Sequence, residues 1–209
     1  MSVTDIARVL VTIGVLGLMK VSPAQPQTLA EPAELKASPA VQNLLDEATT
    51  HASAKRPAEA LATADRALVA AQVEKDGAGE AQAQKLRAQA LSALNRGEEA
   101  LSAWEAAAAA CARSGDGPGQ IEALTAMAVQ LDAGQRDKAS RLRAEALRLA
   151  QSESRRPLAA ARTLQVAGQT YFDRQALSEA REFWLVALSL RERHAPKSLE
   201  MAASLTLWA

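Results

Sequence analysis

Apolar and small residues recur at helical spacing in two successive stretches near the end of the chain. They are Leu164, Gly168 and Tyr171, followed by Ala180, Trp184 and Ala187. Positions i, i+4 and i+7 share one face of a helix, and the polar residues 173–175 between the stretches fit a tight turn. The pattern predicts a helical hairpin in which Gly168 and Ala180 let the two backbones approach. Tyr171 and Trp184 are expected to fill the space beside them.

Breaks rich in Gly, Pro or polar residues recur about every forty residues, a period typical of helical repeats. They lie at 74–80, 114–119, 152–157 and 194–198. The position of Gly168 maps to Ala48, Ala88, Met127 and Ala209, in steps of 40, 39, 41 and 41. The two small positions of the second helix are alanine in all four units: Ala60, Ala100, Ala139 and Ala180, then Ala67, Ala107, Ala146 and Ala187. These in-phase alanines predict four helical hairpins.

The residues of the last hairpin resemble the tetratricopeptide repeat, which places a bulky residue, Gly, Tyr, Ala, an aromatic and Ala in this order. The period is similar to that of the long-helix variety in kinesin light chains and in many bacterial multi-repeat proteins. The resemblance implies an all-α fold, a right-handed superhelical solenoid of helix-turn-helix repeats. Only the last complete unit has both the Gly and the Tyr, and the third unit, 119–152, matches least. HEAT-like or other helical-hairpin repeats are therefore the alternative fold.

The two ends of the chain differ from the repeats. Residues 1–24 are typical of a signal peptide or N-terminal anchor, since Arg8 precedes a short apolar run at 9–19 and small residues follow. Residues 25–39 are Pro-rich and are interpreted as a linker, and 40–209 as the repeat domain. We expect export to the periplasm or cell envelope, with inner-membrane anchoring if the segment is not cleaved.

Residues 199–209 are predicted to form the first helix of a fifth unit. This helix ends on an apolar sequence, which favours continuation into a longer protein over a capping helix. Residues 187–203 resemble the repeat junctions of bacterial tetratricopeptide proteins that carry a C-terminal CHAT domain, a caspase-like protease. The catalytic His and Cys of such a domain have no matching motif in this chain.

Composition gives no electrostatic reason for binding nucleic acid or an anionic membrane. The 209 residues contain 24 basic and 24 acidic side chains, so the formal net charge is zero. Apolar residues make up 48% and aromatic residues 3%, and the alanine-rich apolar share favours closely packed helices. Cys111 is the single cysteine, which excludes an internal disulfide and a multi-cysteine metal site, and it is interpreted as a buried small residue.

No catalytic, cofactor-binding or metal-ligating residues are identified. No nucleophile with a base and no carboxylate pair with a reason for unequal pKa values is evident. The Gly-rich segment 115–119 lacks the Lys-Ser/Thr ending of a P-loop and is interpreted as a flexible turn between repeats. Arg155 and Arg156 precede Pro157 and are interpreted as solvated turn residues.

The resemblance implies a binding groove lined by the first helices of successive units. The positions that it implies for the groove are Gln82, Lys85, Gln89, Leu124, Leu131, Arg162, Gln165, Gln169, Phe172 and Asp173. This mixture of apolar and hydrogen-bonding side chains suits an extended or helical peptide. A carboxylate clamp is not expected, because only Lys85 and Arg162 could serve in it and the Asn partners are absent.

These observations predict a non-enzymatic scaffold that binds a protein or peptide partner, with no cofactor, metal or nucleic acid. Two alternatives remain open at this point. In the first alternative, the chain is the regulatory repeat region of a larger enzyme, such as a CHAT-type protease. In the second, it is a membrane-anchored periplasmic assembly factor.

Overall fold

The computed structural model describes residues 36–131 and 134–195. These residues form eight α-helices and no strand. The helices are α1 Pro39–Ser53, α2 Pro57–Glu74, α3 Gly77–Ala93, α4 Gly97–Ser114, α5 Gly117–Leu131, α6 Arg136–Ser152, α7 Pro157–Asp173 and α8 Leu177–His194. Consecutive helices pair as four hairpins, and α3 and α5 also pack on the helix that precedes each of them. The predicted all-α solenoid of tetratricopeptide-like helical hairpins is confirmed.

Alanine makes this packing possible. The two small positions of the second helices are at most 2% exposed in all four hairpins, as predicted. Since alanine is both the strongest helix former and the smallest residue with a Cβ, α2, α4, α6 and α8 can approach their neighbours closely without losing helical stability. Larger side chains, including Leu91, Leu164 and Tyr171, fill the space between the hairpins and are at most 1% exposed.

The start of the first helix in the second and third hairpins is fixed by an aspartate. The Asp76 carboxylate accepts a hydrogen bond from the Gly79 N–H at 2.9 Å, and the Asp116 carboxylate accepts one from the Gly119 N–H at 3.1 Å. The prediction of a flexible turn over 115–119 is therefore wrong for most of that segment. Only Gly115 takes a left-handed conformation, at φ 73°, and the helix begins two residues later.

The third hairpin turn is one residue shorter than the others. In the first, second and fourth hairpins, the residue just before the second helix donates its backbone N–H to the carbonyl of the residue five positions earlier. In the second hairpin, for example, the Arg96 N–H donates to the Leu91 carbonyl at 3.0 Å. In the third hairpin, the Gln135 N–H donates to the Leu131 carbonyl, four residues back, at 2.8 Å. The carbonyls that accept these bonds belong to His51, Leu91, Leu131 and Tyr171.

This shorter turn corrects the predicted register of α5. The four acceptor residues are 40 residues apart in sequence, so the first helices repeat at a constant interval of 40 residues. Only the second helices depart from this interval, with steps of 39 and 41 residues around the third unit. The residue equivalent to Gly168 in the third unit is Ala128, which is fully buried, and not Met127. Leu131, not Gln130, is the equivalent of Tyr171.

Several predicted segments lie outside the described residues. They are the signal peptide or anchor at 1–24, most of the linker at 25–39, and the fifth first helix at 199–209. Across 36–131 and 134–195, no helix has the length and apolarity needed to cross a membrane.

Candidate functional site

A groove of about 820 Å³ runs between the first helices of the last three hairpins. The α3 side contributes Gln89 and Ser92, and Asn95 follows in the turn. The α5 residues lie between the other two helices, and they are Glu122, Thr125, Ala126, Val129 and Gln130. The α7 side consists of Arg162, Thr163, Val166, Ala167 and Thr170, with Arg174 directly after the helix.

The groove combines apolar surface with polar groups. Val166 of α7 is 68% exposed, so the groove presents apolar surface to solvent. Trp104 of α4 also lines the groove, and it is only 5% exposed because Ala123 and Met127 pack around it. The Gln130 amide donates to the Gly97 carbonyl at 2.6 Å, which ties α5 to the start of α4.

A second, more polar pocket of about 270 Å³ adjoins the groove. The two share Glu122, Arg162 and Thr163. Glu122 connects the second and third hairpins, because its carboxylate accepts from Lys85 Nζ at 2.9 Å and from Gln89 Nε2 at 3.1 Å. Burial alone would lower the pKa of Lys85, but the charge and hydrogen bond of Glu122 outweigh burial and raise it. Lys85 is therefore held as a cation.

An ion pair links the third and fourth hairpins across this polar pocket. The Arg156 guanidinium donates to the Asp116 carboxylate, which also caps α5. Arg156 is only 9% exposed. The prediction of a solvated arginine is therefore wrong for Arg156, whereas its neighbour Arg155 is exposed as expected.

Cys111 lies beside the same aspartate. Its side chain is fully buried, as predicted, and packs with Ala81 and Ala110. Burial, with the nearby charge of Asp116, raises the pKa of the thiol to about 12. A protonated thiol is a poor nucleophile, so the structure gives Cys111 a packing role.

Four of the predicted groove residues lie at these two pockets. Gln82 and Lys85 line the polar pocket, Gln89 lines the groove, and Arg162 lines both. Whether any of them contacts a partner stays a prediction.

Two predicted groove residues of α5 lie in the core instead. Leu124 is 6% exposed and Leu131 is 5% exposed, and neither lines the groove. The cause is the register error in this helix. With the 40-residue step, the equivalents of Lys85 and Gln89 are Thr125 and Val129, and both line the groove.

The remaining predicted residues of α7 also lie away from the groove lining. Gln165 accepts from Arg191 Nη2 at 2.5 Å, and the Gln169 amide donates to Asp173 at 2.8 Å. Phe172 is 48% exposed and packs tilted against Trp184, with ring centroids 5.6 Å apart. The α7 residues that do line the groove, among them Thr163, Val166 and Thr170, lie on a different stripe of the helix, and no spacing within the helix distinguishes that stripe.

In the part of the chain that the structure describes, no group of three or more His, Cys, Asp or Glu residues could hold a metal ion.

Comparison with known proteins identifies no family. No protein-family profile matches the sequence, and no curated protein matches it. Among solved structures, one of MamA is similar, with 20% identity over 75% of this chain and 81% of that chain, at a TM-score of 0.46. Another structure of the MamA protein has 21% identity over 76% of this chain and 77% of that chain, also at 0.46. At these levels, the likeness carries no inference about function.

Proposed function

We propose that this protein is a non-enzymatic scaffold that binds a short segment of a partner protein in the groove between α3, α5 and α7. The observation that carries the proposal is the groove itself, along which Val166 of α7 is exposed. Exposed apolar surface in a concave site is typical of binding sites, because covering it removes that surface from water.

The size and chemistry of the groove support a peptide as the ligand. A volume of about 820 Å³ accommodates a few side chains and not a folded domain. A peptide also needs partners for its backbone N–H and C=O groups. Amide and hydroxyl groups line the groove at Asn95, Gln130, Thr163 and Thr170, next to apolar surface that can accept peptide side chains.

A pair of valine substitutions tests the proposal. A phage-displayed library of random peptides would be panned on the full chain. Each peptide would have about 12 residues, because about 12 extended residues are longer than one helix of this array and can span the groove. The enriched peptides would be labelled with fluorescein for anisotropy titrations. Val166→Glu places a charge on the apolar surface of the groove. Val69→Glu is the matched control, because Val69 is 60% exposed on α2 and does not line the groove.

We expect Val166→Glu to weaken binding of the enriched peptides at least about tenfold, since it buries a charge against apolar groups. Val69→Glu should leave the affinity unchanged. The proposed function would be contradicted if panning enriched no peptide, or if the two variants bound the enriched peptides equally well.

We also propose that residues 1–24 direct the chain out of the cytoplasm, on the sequence pattern alone. N-terminal sequencing of the protein from its natural host tests this. Loss of these residues indicates a cleaved signal peptide, and retention in the membrane fraction indicates an anchor. An intact N-terminus in the cytosolic fraction would contradict export.

A further inference from the structure

Trp184 of α8 occupies a position that meets the following hairpin in earlier units. It lies four residues after the first buried alanine of its helix, as do Trp104 of α4 and Arg143 of α6. Trp104 is 5% exposed because residues of α5 pack around it. Cζ of Arg143 lies 5.7 Å from the centre of the Tyr171 ring of α7. In α8 the same position is open, since Trp184 is only partly buried.

One turn further along α8, Leu188 extends this open surface. Residues four apart share one side of a helix, and Leu188 is also only partly buried. Its equivalent in the second hairpin is Ala108, which packs against the cluster that contains Ala123 and Met127 of α5. The side of α8 that carries Trp184 and Leu188 is the open face of α8, and it corresponds to the side of α4 that receives α5.

An apolar open face needs a covering element. Stacking of neighbouring hairpins stabilises helical repeats, and the outer face of a terminal hairpin is normally polar. The sequence after α8 supplies a candidate, because Met201, Leu205 and Trp208 fall at i, i+4 and i+7 and would share one side of a helix. We infer that residues 199–209 form a helix whose apolar stripe packs on the open face of α8, as α5 packs on α4.

The connection between α8 and this segment has a suitable length. Four residues, 195–198, separate the end of α8 from the segment, and four residues, 153–156, separate α6 from α7. A segment tethered by so short a connection has a high effective concentration at the open face. It should therefore occupy that face in preference to a second copy of the chain or another protein.

Phe172 of α7 borders the open face and fits this arrangement. It is 48% exposed, and its ring centroid lies 5.6 Å from that of Trp184. Its equivalent in the second hairpin, 80 residues earlier, is Ser92, which lines the groove between α3 and α5. With residues 199–209 in place, Phe172 would line a continuation of the groove past α7.

Hydrogen exchange followed by mass spectrometry tests the inference on the full chain. The reference is a free peptide with the sequence of residues 199–209, which is too short to form a stable helix in water. We expect the backbone amides of this segment in the protein to exchange at least about tenfold more slowly than those of the free peptide. Equal rates in the protein and the peptide would overturn the inference.

Two leucine substitutions on α8 test where the segment packs. Leu188→Asp places a charge on the open face, so the amides of 199–209 should then exchange as fast as those of the free peptide. Leu185→Asp is the matched control, because Leu185 is 44% exposed and its equivalents in the first two hairpins are the exposed Asp65 and Glu105. It should leave the exchange slow. Slow exchange in both variants would mean that the segment packs elsewhere, and the inference would be wrong.

Substitutions within the segment give the same test without changing α1–α8. Leu205→Asp alters the apolar stripe, whereas Thr206→Asp alters a different side of the proposed helix. Only Leu205→Asp should abolish the slow exchange of 199–209, and the amides of α1–α8 should remain protected in both variants. Equal exchange in the two variants would contradict packing through this stripe.

Protein concentration distinguishes a segment of the same chain from a second copy. Packing within one chain should give the same exchange rates over about a hundredfold range of protein concentration, because no association is involved. Exchange that became slower with concentration, together with a dimer in sedimentation equilibrium, would show that a second copy covers the open face. That result would overturn the inference.

Discussion

The indole ring of Trp184 lies directly over Gly168, in the space that any other residue would occupy with its Cβ. A Cβ built on Gly168 would be 2.5 Å from Cδ1 of Trp184. The indole Nε1 also donates to the Gln165 carbonyl at 3.3 Å, one helical turn earlier on α7. Next to it, Tyr171 stacks on Phe183 with ring centroids 5.3 Å apart. The glycine therefore serves the close approach of an aromatic ring, whereas the sequence pattern predicts a close approach of two backbones with Trp184 beside them.

Replacing this glycine should reverse the usual effect of a helix-favouring substitution. Alanine at a helical glycine normally stabilises by about 1 kcal/mol, but Gly168→Ala should lower the free energy of unfolding by about 1–2 kcal/mol, because Trp184 must move. Gly77→Ala is the control, since a Cβ there meets nothing nearer than 4.0 Å. Urea unfolding followed by circular dichroism measures both. A loss for Gly168→Ala that persisted in a Trp184→Leu background would contradict the explanation.

Asp116 should contribute more to stability than its equivalent, Asp76. Asp76→Ala removes a helix cap and a hydrogen bond from the Ser38 N–H at 2.7 Å, so it should lower the free energy of unfolding by about 1 kcal/mol. Asp116→Ala removes a cap and also leaves Arg156, which is 9% exposed, without its carboxylate. It should lower the free energy of unfolding by about 3 kcal/mol.

The two contributions of Asp116 can be separated with Asp116→Asn. An asparagine can still cap the helix but cannot neutralise Arg156, so its urea midpoint should lie between those of the wild type and Asp116→Ala. A midpoint equal to that of the wild type would mean that the ion pair adds nothing.

Stability should decrease at alkaline pH because of Cys111. Burial raises the pKa of its thiol from 9.0 to about 12 in the folded protein. The folded state therefore holds the proton more tightly than the unfolded state. This contribution is complete below pH about 8 and is lost progressively as the pH rises toward 12, with about 1–1.5 kcal/mol lost by pH 10.

The Cys111→Ala variant isolates this effect from other groups that titrate at high pH. Alanine suits a site formed by Ala81 and Ala110, so the variant should remain folded. Its free energy of unfolding should fall less than that of the wild type between pH 8 and pH 10, by about 1–1.5 kcal/mol. Parallel pH profiles for the two proteins would argue against a raised thiol pKa.

Replacing Gln175 by glycine should stabilise the folded protein. It has a φ of 63° in the turn between α7 and α8, a left-handed conformation that is unfavourable for residues with a Cβ. Gln175→Gly should raise the free energy of unfolding by about 0.5–1 kcal/mol. Gln169→Gly, six residues earlier on the helical part of α7, is the control and should lower it by about 1 kcal/mol. Thermal melting distinguishes the opposite signs.

The helical hairpins could be predicted from the sequence because their strongest constraint is local. Ala60 and Ala67 lie seven residues apart on one face, and this pair recurs in every second helix, where the structure buries it. The register of α5 could not be predicted in the same way. The third unit has one residue fewer than the others between Ala128 and Ala139. Because Ala126 is also small, an alignment of the four units can place this gap at more than one position.

The candidate site was only partly predictable because it depends on contacts between distant residues. Asp116 and Arg156 lie 40 residues apart and each looked like a turn residue, yet they form an ion pair. The groove-facing side of α7 is set by direct packing of that helix on α5. The sequence of α7 alone does not show which side of the helix faces the groove. The family pattern therefore pointed to Gln165 and Gln169 instead of Thr163 and Val166.

The short turn of the third hairpin has a consequence for engineering this array. First helices keep a constant interval of 40 residues while second helices do not, so the exchangeable module is the single helix with its own boundaries and not a fixed window of sequence. A 40-residue window that spans this turn keeps the first helix in register but shifts the second helix by one residue, so that the exposed Ser140 aligns with the buried Ala100. A consensus repeat averaged over the four units in such windows would mix buried and exposed positions of the second helix.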